Sequence, residues 1–322
     1  MEYTRLGASG LVVSRISLGC MSFGEPTPAM DWSLGEAAAA PLFRRAVELG
    51  ITLWDTANAY ADGSSEEIVG RAVREYSSRE EIVLATKIYF PMHPGPGGGG
   101  LSRKAILEQV DGSLARLGTD YIDLLQIHRF DPEVPVPETM EALHDVVKAG
   151  KVRYLGASSM WAWQFAKMQH TAERNGWTRF ISMQDQYSLI QREEEREMFG
   201  LLADQGTGSL PWSPLGGGVV ARPWGTAGTT RARSGGVGRP EALTSDEAIV
   251  HAVQRIAAER GTAMATVALA WVLRNPVVDS PIIGATKERH LMDAVTALDV
   301  VLTDDEVARL EGPYTPREPT HF

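Results

Sequence analysis

The sequence predicts a (β/α)8 barrel, formed as one domain over residues 1–322. Three observations predict it. Short β-rich runs alternate with amphipathic helical runs eight times along the chain. Several helical runs close on a glycine, at Gly50, Gly118, Gly150, Gly176 and Gly206, the residue expected just past a helix end. A doubly wound sheet, the other arrangement with this alternation, usually opens its first helix with a G-x-G-x-x-G turn, and none follows the first strands.

The elements follow in order. Met1–Leu6 and Leu11–Val13 flank the turn-rich Gly7-Ala8-Ser9-Gly10, which reads as a hairpin able to plug the amino-terminal end of the barrel. Strands centre on 16–19, 51–55, 82–86, 122–127, 152–156, 180–184, 208–212 and 280–283. Between them lie helical runs at Ala40–Leu49, Ser65–Glu75, Arg103–Leu117, Pro137–Ala149, Ala162–Asn175 and Glu193–Gln205. The last unit carries an extra helix, with Asp246–Arg260 followed by Ala263–Leu273 before strand eight, and a proline-rich tail runs from Asp304. Long loops at 21–39, 88–102 and 213–243 follow strands one, three and seven. All three lie at carboxyl ends, where barrel sites are built, and long loops in compact domains are commonly lids or binding loops.

Composition narrows the function. A chain of 322 residues that is 43% hydrophobic can bury a large core. A net charge of −10 argues against nonspecific nucleic-acid binding, so any phosphate-bearing ligand needs a local cluster of cations or backbone N–H groups. The single cysteine, Cys20, excludes an intrachain disulfide and fits a reducing compartment. Residues 1–6 form no apolar leader, and no apolar run approaches the ~18 residues of a membrane helix. The expectation is a cytoplasmic protein without a membrane partner.

Four polar residues sit at or just past strand ends: Asp55, Tyr60, Lys87 and His128. In a parallel barrel such positions converge on one face. The set suits proton transfer to a carbonyl oxygen as hydride attack makes it negative. A free phenol, with a pKa of about 10, is a weak acid at neutral pH, and a neighbouring ammonium favours the phenolate. Tyr60 is then the proton donor, Lys87 its charged neighbour, Asp55 the group that keeps Lys87 charged, and His128 the residue that orients the carbonyl. A second set reads as a cofactor site. Ser158, Ser159 and Gln184 offer hydrogen bonds suited to a carboxamide, and Trp212 could stack on a flat ring. Ile282-Ile283-Gly284-Ala285-Thr286-Lys287 opens a helix whose N-terminus, with Lys287, could hold a phosphate. Trp32, Tyr89, Phe90 and Trp161 could form an aromatic substrate-pocket mouth. The seven histidines are scattered, so no metal site is expected and a metal-dependent hydrolase is not favoured.

The chain resembles the aldo-keto reductase superfamily from its opening hairpin to its last helix. The resemblance is carried by Leu18-Gly19-Cys20-Met21-Ser22-Phe23-Gly24, Asp55-Thr56-Ala57-Asn58-Ala59-Tyr60, Ala85-Thr86-Lys87, Asp123-Leu124-Leu125-Gln126-Ile127-His128, Gly150-Lys151-Val152-Arg153-Tyr154-Leu155-Gly156 and Trp212-Ser213-Pro214-Leu215. It implies an NADPH-dependent oxidoreductase that reduces a small aldehyde or ketone, and it assigns the four strand-end residues the same roles. It implies that Ser158, Ser159 and Gln184 hold the carboxamide and that Trp212 stacks on the nicotinamide. Ser213, Pro214, Leu215 and the chain to Gly218 would follow the pyrophosphate, and Thr286, Lys287, His290 and Asp293 would meet the adenosine end. Gly19, Met21, Asp55 and Gly284 complete the implied cofactor set. Lys287 would carry a preference for NADPH, shared with Arg222, Arg231, Arg233, Arg239 and Arg289. Three positions depart from the pattern: Ser159 and Ala294 stand where relatives often have Asn, and Gly217 where an Arg is frequent. The resemblance also admits a cofactor-binding regulatory subunit, like the potassium-channel beta subunits. Neither the physiological substrate nor the oligomeric state is legible.

Overall fold

The computed structural model describes residues 1–28, 30–226 and 243–319. Two short strands, β1 (Tyr3–Arg5) and β2 (Val12–Ser14), pair antiparallel as the predicted hairpin. Eight parallel strands follow: β3 (Ser17–Gly19), β4 (Leu53–Asp55), β5 (Val83–Ile88), β6 (Ile122–Ile127), β7 (Val152–Ser158), β8 (Phe180–Gln184), β9 (Gly208–Ser209) and β10 (Ile282–Gly284). Their order is sequential from β3 to β9, with β10 beside β3. The seam between β9 and β10 is closed by hydrogen bonds between the adjoining segments: Ser209 N–H to Val277 O at 3.1 Å, Asp279 N–H to Ser209 O at 3.0 Å and Ile282 N–H to Pro211 O at 2.8 Å. The fold is a (β/α)8 barrel.

Helices α1 (Glu36–Glu48), α2 (Ser64–Tyr76), α3 (Arg103–Leu117), α4 (Val136–Lys148), α5 (Ala162–Asn175) and α6 (Met198–Gln205) connect the first seven barrel strands. Two helices, α7 (Thr244–Arg260) and α8 (Met264–Leu273), precede β10, which is the extra helix expected in that unit. After β10 come α9 (Glu288–Thr296) and α10 (Asp304–Glu311). No single helix among the described residues is long and apolar enough to cross a membrane.

The structure corrects four boundaries. Strand seven, expected over 208–212, keeps regular pairing only at Gly208–Ser209, because Pro211 has no N–H to give to the ladder. The helix expected over 193–205 is a 3-10 turn at Glu193–Glu195 and then α6, with Glu197 out of helical conformation at φ −140° between them. Helix α1 starts four residues before Ala40 and runs through the exposed Pro41. The tail begins as a helix: Thr303 caps α10 by accepting the Glu306 N–H at 3.3 Å, while the Glu306 carboxylate accepts the Thr303 N–H at 2.7 Å.

Period-two alternation sorts the barrel interior into layers. Leu53, Ala85, Leu124, Leu210 and Ile282 form an apolar cluster with Leu6 and Val13 of the hairpin. One pleat further along the same strands stand Asp55, Lys87 and Gln126. The lower layer is thus a packed core, and the polar side chains are raised to the carboxyl end. Gly156, beside Gln126 and Ser182 in register, leaves that polar layer its space: a Cβ there would meet Ser182 Oγ at 2.5 Å and Gln126 Cγ at 3.0 Å.

Candidate active site

Lys87 ends the regular inward alternation of β5 and is fully buried. Its ammonium donates to Asp55 Oδ2 at 2.6 Å, to the Thr56 carbonyl at 2.9 Å and to the Tyr60 hydroxyl oxygen at 3.1 Å. An ammonium has three N–H groups, so every donor is placed and the head cannot turn. Burial pulls Lys87 down, but the charges of Asp55 and Tyr60 outweigh it and hold the ammonium above its ordinary value. Asp55 is fixed from its other side, where Oδ1 accepts from Gln126 Nε2 at 2.8 Å and Gln184 Nε2 at 2.9 Å. Gln184 also donates to Gln126 Oε1 at 2.9 Å, so both of its N–H groups are engaged and its oxygen is what remains to offer.

Tyr60 opens a 3-10 turn whose next two residues, Ala61 and Asp62, are left-handed at φ 46° and 53°. Non-glycine residues persist there only where the surroundings impose it. Part of that hold comes from α3. Gln109 Oε1 accepts from Asn58 Nδ2 at 2.9 Å and from the Tyr89 N–H at 3.0 Å, tying the Tyr60 loop to the turn after β5. The His128 ring stands edge-on to Tyr60, with centroids 5.8 Å apart. Burial, then Lys87 and Arg129, push the imidazole well below its ordinary value, so it is neutral at pH 7 and presents one N–H. The four strand-end residues are therefore together in one place.

The second set divides. Ser159 is left-handed at φ 45°, its N–H donates to Asp185 Oδ1 at 3.1 Å, and its Oγ accepts from Trp212 Nε1 at 3.1 Å. Ser158 Oγ donates to the Gln184 carbonyl at 2.7 Å. Trp212 donates its backbone N–H to Asp185 O at 2.8 Å, so the short strand seven still delivers it beside β8. Past Trp212 the chain turns left-handed at Ser213 (φ 50°), Gly216, Gly217 and Gly218 (φ 57°, 63° and 89°). Pro214 and Leu215 lie between them. Gly284 ends β10, exposed, and Thr286 and Lys287 are exposed at the start of α9, with His290 and Asp293 half-buried on it. Burial lowers His290, and the charges of Arg289, Lys287 and Arg222 lower it further against the opposing charge of Asp293. Three cations thus gather at this helix start although the protein is acidic. Arg231, Arg233 and Arg239 lie outside the described residues. Ala294 is buried in the core, so its side chain is not offered to a ligand. Gly19 ends β3 against Ile282, and Met21 lies in the 3-10 turn Cys20–Ser22 that follows.

Of the aromatic residues, Phe90 packs on His128 with centroids 4.8 Å apart, and Tyr89 packs on Phe90 at 5.3 Å. Trp32 is half-buried in the loop after β3. Trp161 is 45% exposed and lines a cavity of about 580 Å³ with Glu194, Arg196, Pro316 and Pro319, a cavity that none of the four strand-end residues lines.

The model of the aldo/keto reductase family matches residues 15–314. The chain belongs to the aldo/keto reductase family. It is 46% identical to versiconal hemiacetal acetate reductase of Aspergillus parasiticus, over 98% of each chain. It is 45% identical to the aldo-keto reductase AMT2 of Alternaria alternata, over 98% of this chain and 92% of the relative. It is 43% identical to the aldo-keto reductase dtxS3 of Metarhizium robertsii, again over 98% and 92%. As an aldo/keto reductase the chain is an oxidoreductase whose general chemistry is carbonyl reduction with a nicotinamide dinucleotide.

Gln109, Gln126, Arg129 and Asp185 belong to this site but were not singled out from the sequence. Gln126 had a signal, since it lies two residues before His128 on the same strand face. Arg129 and Asp185 each directly follow a strand-end residue already chosen. Gln109 had none, because it reaches the site from the middle of a helix.

Proposed function

We propose that this chain reduces an aldehyde or ketone to an alcohol using NADPH, as one domain over residues 1–322, with Asp55, Tyr60, Lys87 and His128 as its catalytic residues. The carrying observation is the direction of the Lys87–Tyr60 hydrogen bond. Lys87 donates to the phenol oxygen at 3.1 Å, so the phenol's own proton is left to donate outward. The chemistry the dinucleotide would supply when bound is hydride transfer to the carbonyl carbon. Tyr60 gives its proton to the carbonyl oxygen, and the fixed ammonium of Lys87 stabilises the phenolate left behind. Neutral His128 donates its N–H to the same oxygen and sets its angle. The left-handed backbone at Ser159 and Ser213 and the glycines 216–218 fit a close approach of a dinucleotide, with Ser158, Ser159, Gln184 and Trp212 at the ring and the cations near His290 at the phosphate.

Two experiments test this. Tyr60→Phe is expected to lower kcat for a simple aldehyde by roughly 10²–10⁴-fold, the ordinary share of general acid catalysis, with NADPH affinity retained. Near-normal turnover in that variant removes Tyr60 as the acid. A wild-type chain that binds NADPH yet turns over no carbonyl would instead be a binding subunit. For cofactor choice, Lys287→Met should weaken NADPH roughly tenfold to a hundredfold while leaving NADH affinity alone. Equal losses would place Lys287 on the pyrophosphate.

A further inference from the structure

We propose that Arg129 selects carbonyl substrates that carry a carboxylate on a flat, aromatic body. The inference rests on the reductase reading above and names its substrate class.

Arg129 follows His128 directly, just past the end of β6, and is half-buried. Several other shielded cations hold carboxylates: Lys87 holds Asp55, Arg79 holds Asp123, Arg116 holds Glu66, and Arg192 holds Glu195 and Glu311. Half-buried Arg15 is held by three backbone carbonyls, of Val278, Asp279 and Leu273. Arg129 makes no ion pair among the described residues, and its one hydrogen bond goes to the carbonyl of His128. Four of its five N–H groups are therefore uncommitted. Burial pushes the guanidinium below its ordinary value, and the acids acting on it from beyond contact are Tyr60, Asp185 and Tyr89. Asp185 spends Oδ1 on the Ser159 N–H and forms no ion pair with Arg129.

A partly desolvated guanidinium without a counter-ion is costly to keep, and its fork matches a carboxylate by two parallel hydrogen bonds. Its surroundings define the rest of the ligand. The guanidinium lies 5.6 Å from the ring centroid of Phe90, and the same ring packs on His128 at 4.8 Å. The cation and the carbonyl-orienting imidazole therefore meet at one aromatic ring, so a flat substrate that brings its carbonyl to His128 can bring an anion to Arg129. The cations gathered at α9 are separate from this group and belong to the proposed dinucleotide phosphate.

The test compares 2-, 3- and 4-carboxybenzaldehyde with the matching nitrobenzaldehydes, which are neutral and of the same shape. The measured quantity is the ratio of kcat/KM for each pair within one enzyme, so changes common to both substrates cancel. The wild type should favour the carboxylate of at least one pair. In Arg129→Met that ratio should fall about tenfold to a hundredfold, as expected for one charge-assisted contact. Arg129→Lys should regain part of it. No carboxylate preference in the wild type, or a preference that survives in Arg129→Met, overturns the proposal. So does an unchanged ratio with weaker NADPH binding, which would assign Arg129 to the cofactor. Should Arg129→Met fail to fold, Arg129→Gln and the wild-type ratio decide in the same way. Wild-type turnover of neither series, with NADPH bound, would sink the reductase reading and this inference with it.

Discussion

Lys87 and Asp55 form a buried ion pair, and in the proposed mechanism that pair serves both stability and chemistry. Removing one partner strands a charge, and breaking such a pair typically costs about 3–5 kcal/mol. Lys87→Met should therefore abolish turnover and also lower Tm. The double variant Asp55→Asn, Lys87→Met should be equally inactive but recover part of the stability, since no uncompensated charge remains. Equal Tm values for the single and double variants would show that the pair contributes nothing beyond catalysis. His128 adds a pH dependence of known sign. Its folded-state value lies well below the ordinary 6.5, because of burial and then the charges of Lys87 and Arg129. As pH falls below about 6.5 the unfolded chain takes up a proton that the folded site refuses, so stability present above that pH is lost below it, by up to about 1.4 kcal/mol per pH unit. His128→Gln should flatten Tm between pH 6.5 and 5. At this scale the sequence was readable where residues share a topological position, as the four strand-end residues do. It was silent on Gln109, whose bonds to Asn58 and Tyr89 cross from α3 to two loops.

Short elements at the barrel's carboxyl end explain what could and could not be read from pattern. Alternation and glycine stops placed α3 and α5 to the residue, because each has a capped end and an amphipathic face. Strand seven was overextended because its β-like run contains Pro211, which breaks the ladder while leaving the chain extended enough to deliver Trp212. Capping chemistry at Thr303 and Glu306 was present in the sequence and marks the start of α10 within the supposed tail. Asp185 is the joint between these elements, bonding β7's end through the Ser159 N–H and strand seven through the Trp212 N–H. Burial pushes its carboxyl up to about 7. Between the ordinary value near 4 and that value, the folded protein holds a proton the unfolded chain has lost, so stability declines as pH rises to about 7 and stays lower above it. Asp185→Asn keeps the acceptor for Ser159 but cannot ionise. Its Tm should exceed that of the wild type at pH 8, with the difference shrinking as the pH is lowered to 4. A constant difference across that range would show that Asp185 does not titrate in the folded protein.

Across the whole molecule the two ends of the barrel do different work, and the division comes from the alternation along each strand. The carboxyl end holds the polar layer and the strained loops. The amino end holds the apolar layer closed by the hairpin. Leu6 is fully buried among Leu53, Ala85, Leu124, Leu210 and Ile282, which come from five different barrel strands or their extensions. The turn is fastened from outside by the Gly7 N–H to Asp279 Oδ2 at 2.7 Å and the Ala8 N–H to Gly206 O at 2.7 Å. Gly7 is left-handed at φ 54°, and a Cβ there would meet Gly206 O and Gly208 N at 2.6 Å, so the hairpin sits directly against the chain entering strand seven. Truncating Leu6 to Ala should open a cavity in that lower layer, at a cost of about 2–5 kcal/mol. The backbone contacts at Gly7 and Ala8 limit how far the hairpin can settle into the gap, which favours the upper part of that range. Chemistry should be spared, because Lys87, Tyr60 and His128 belong to the opposite layer and touch no part of the hairpin. The expected outcome for Leu6→Ala is a Tm several degrees lower, with kcat and KM for a simple aldehyde unchanged at 25 °C. A variant that kept its Tm but lost turnover would show that the hairpin acts on the active site through the barrel, and that the two ends are not independent.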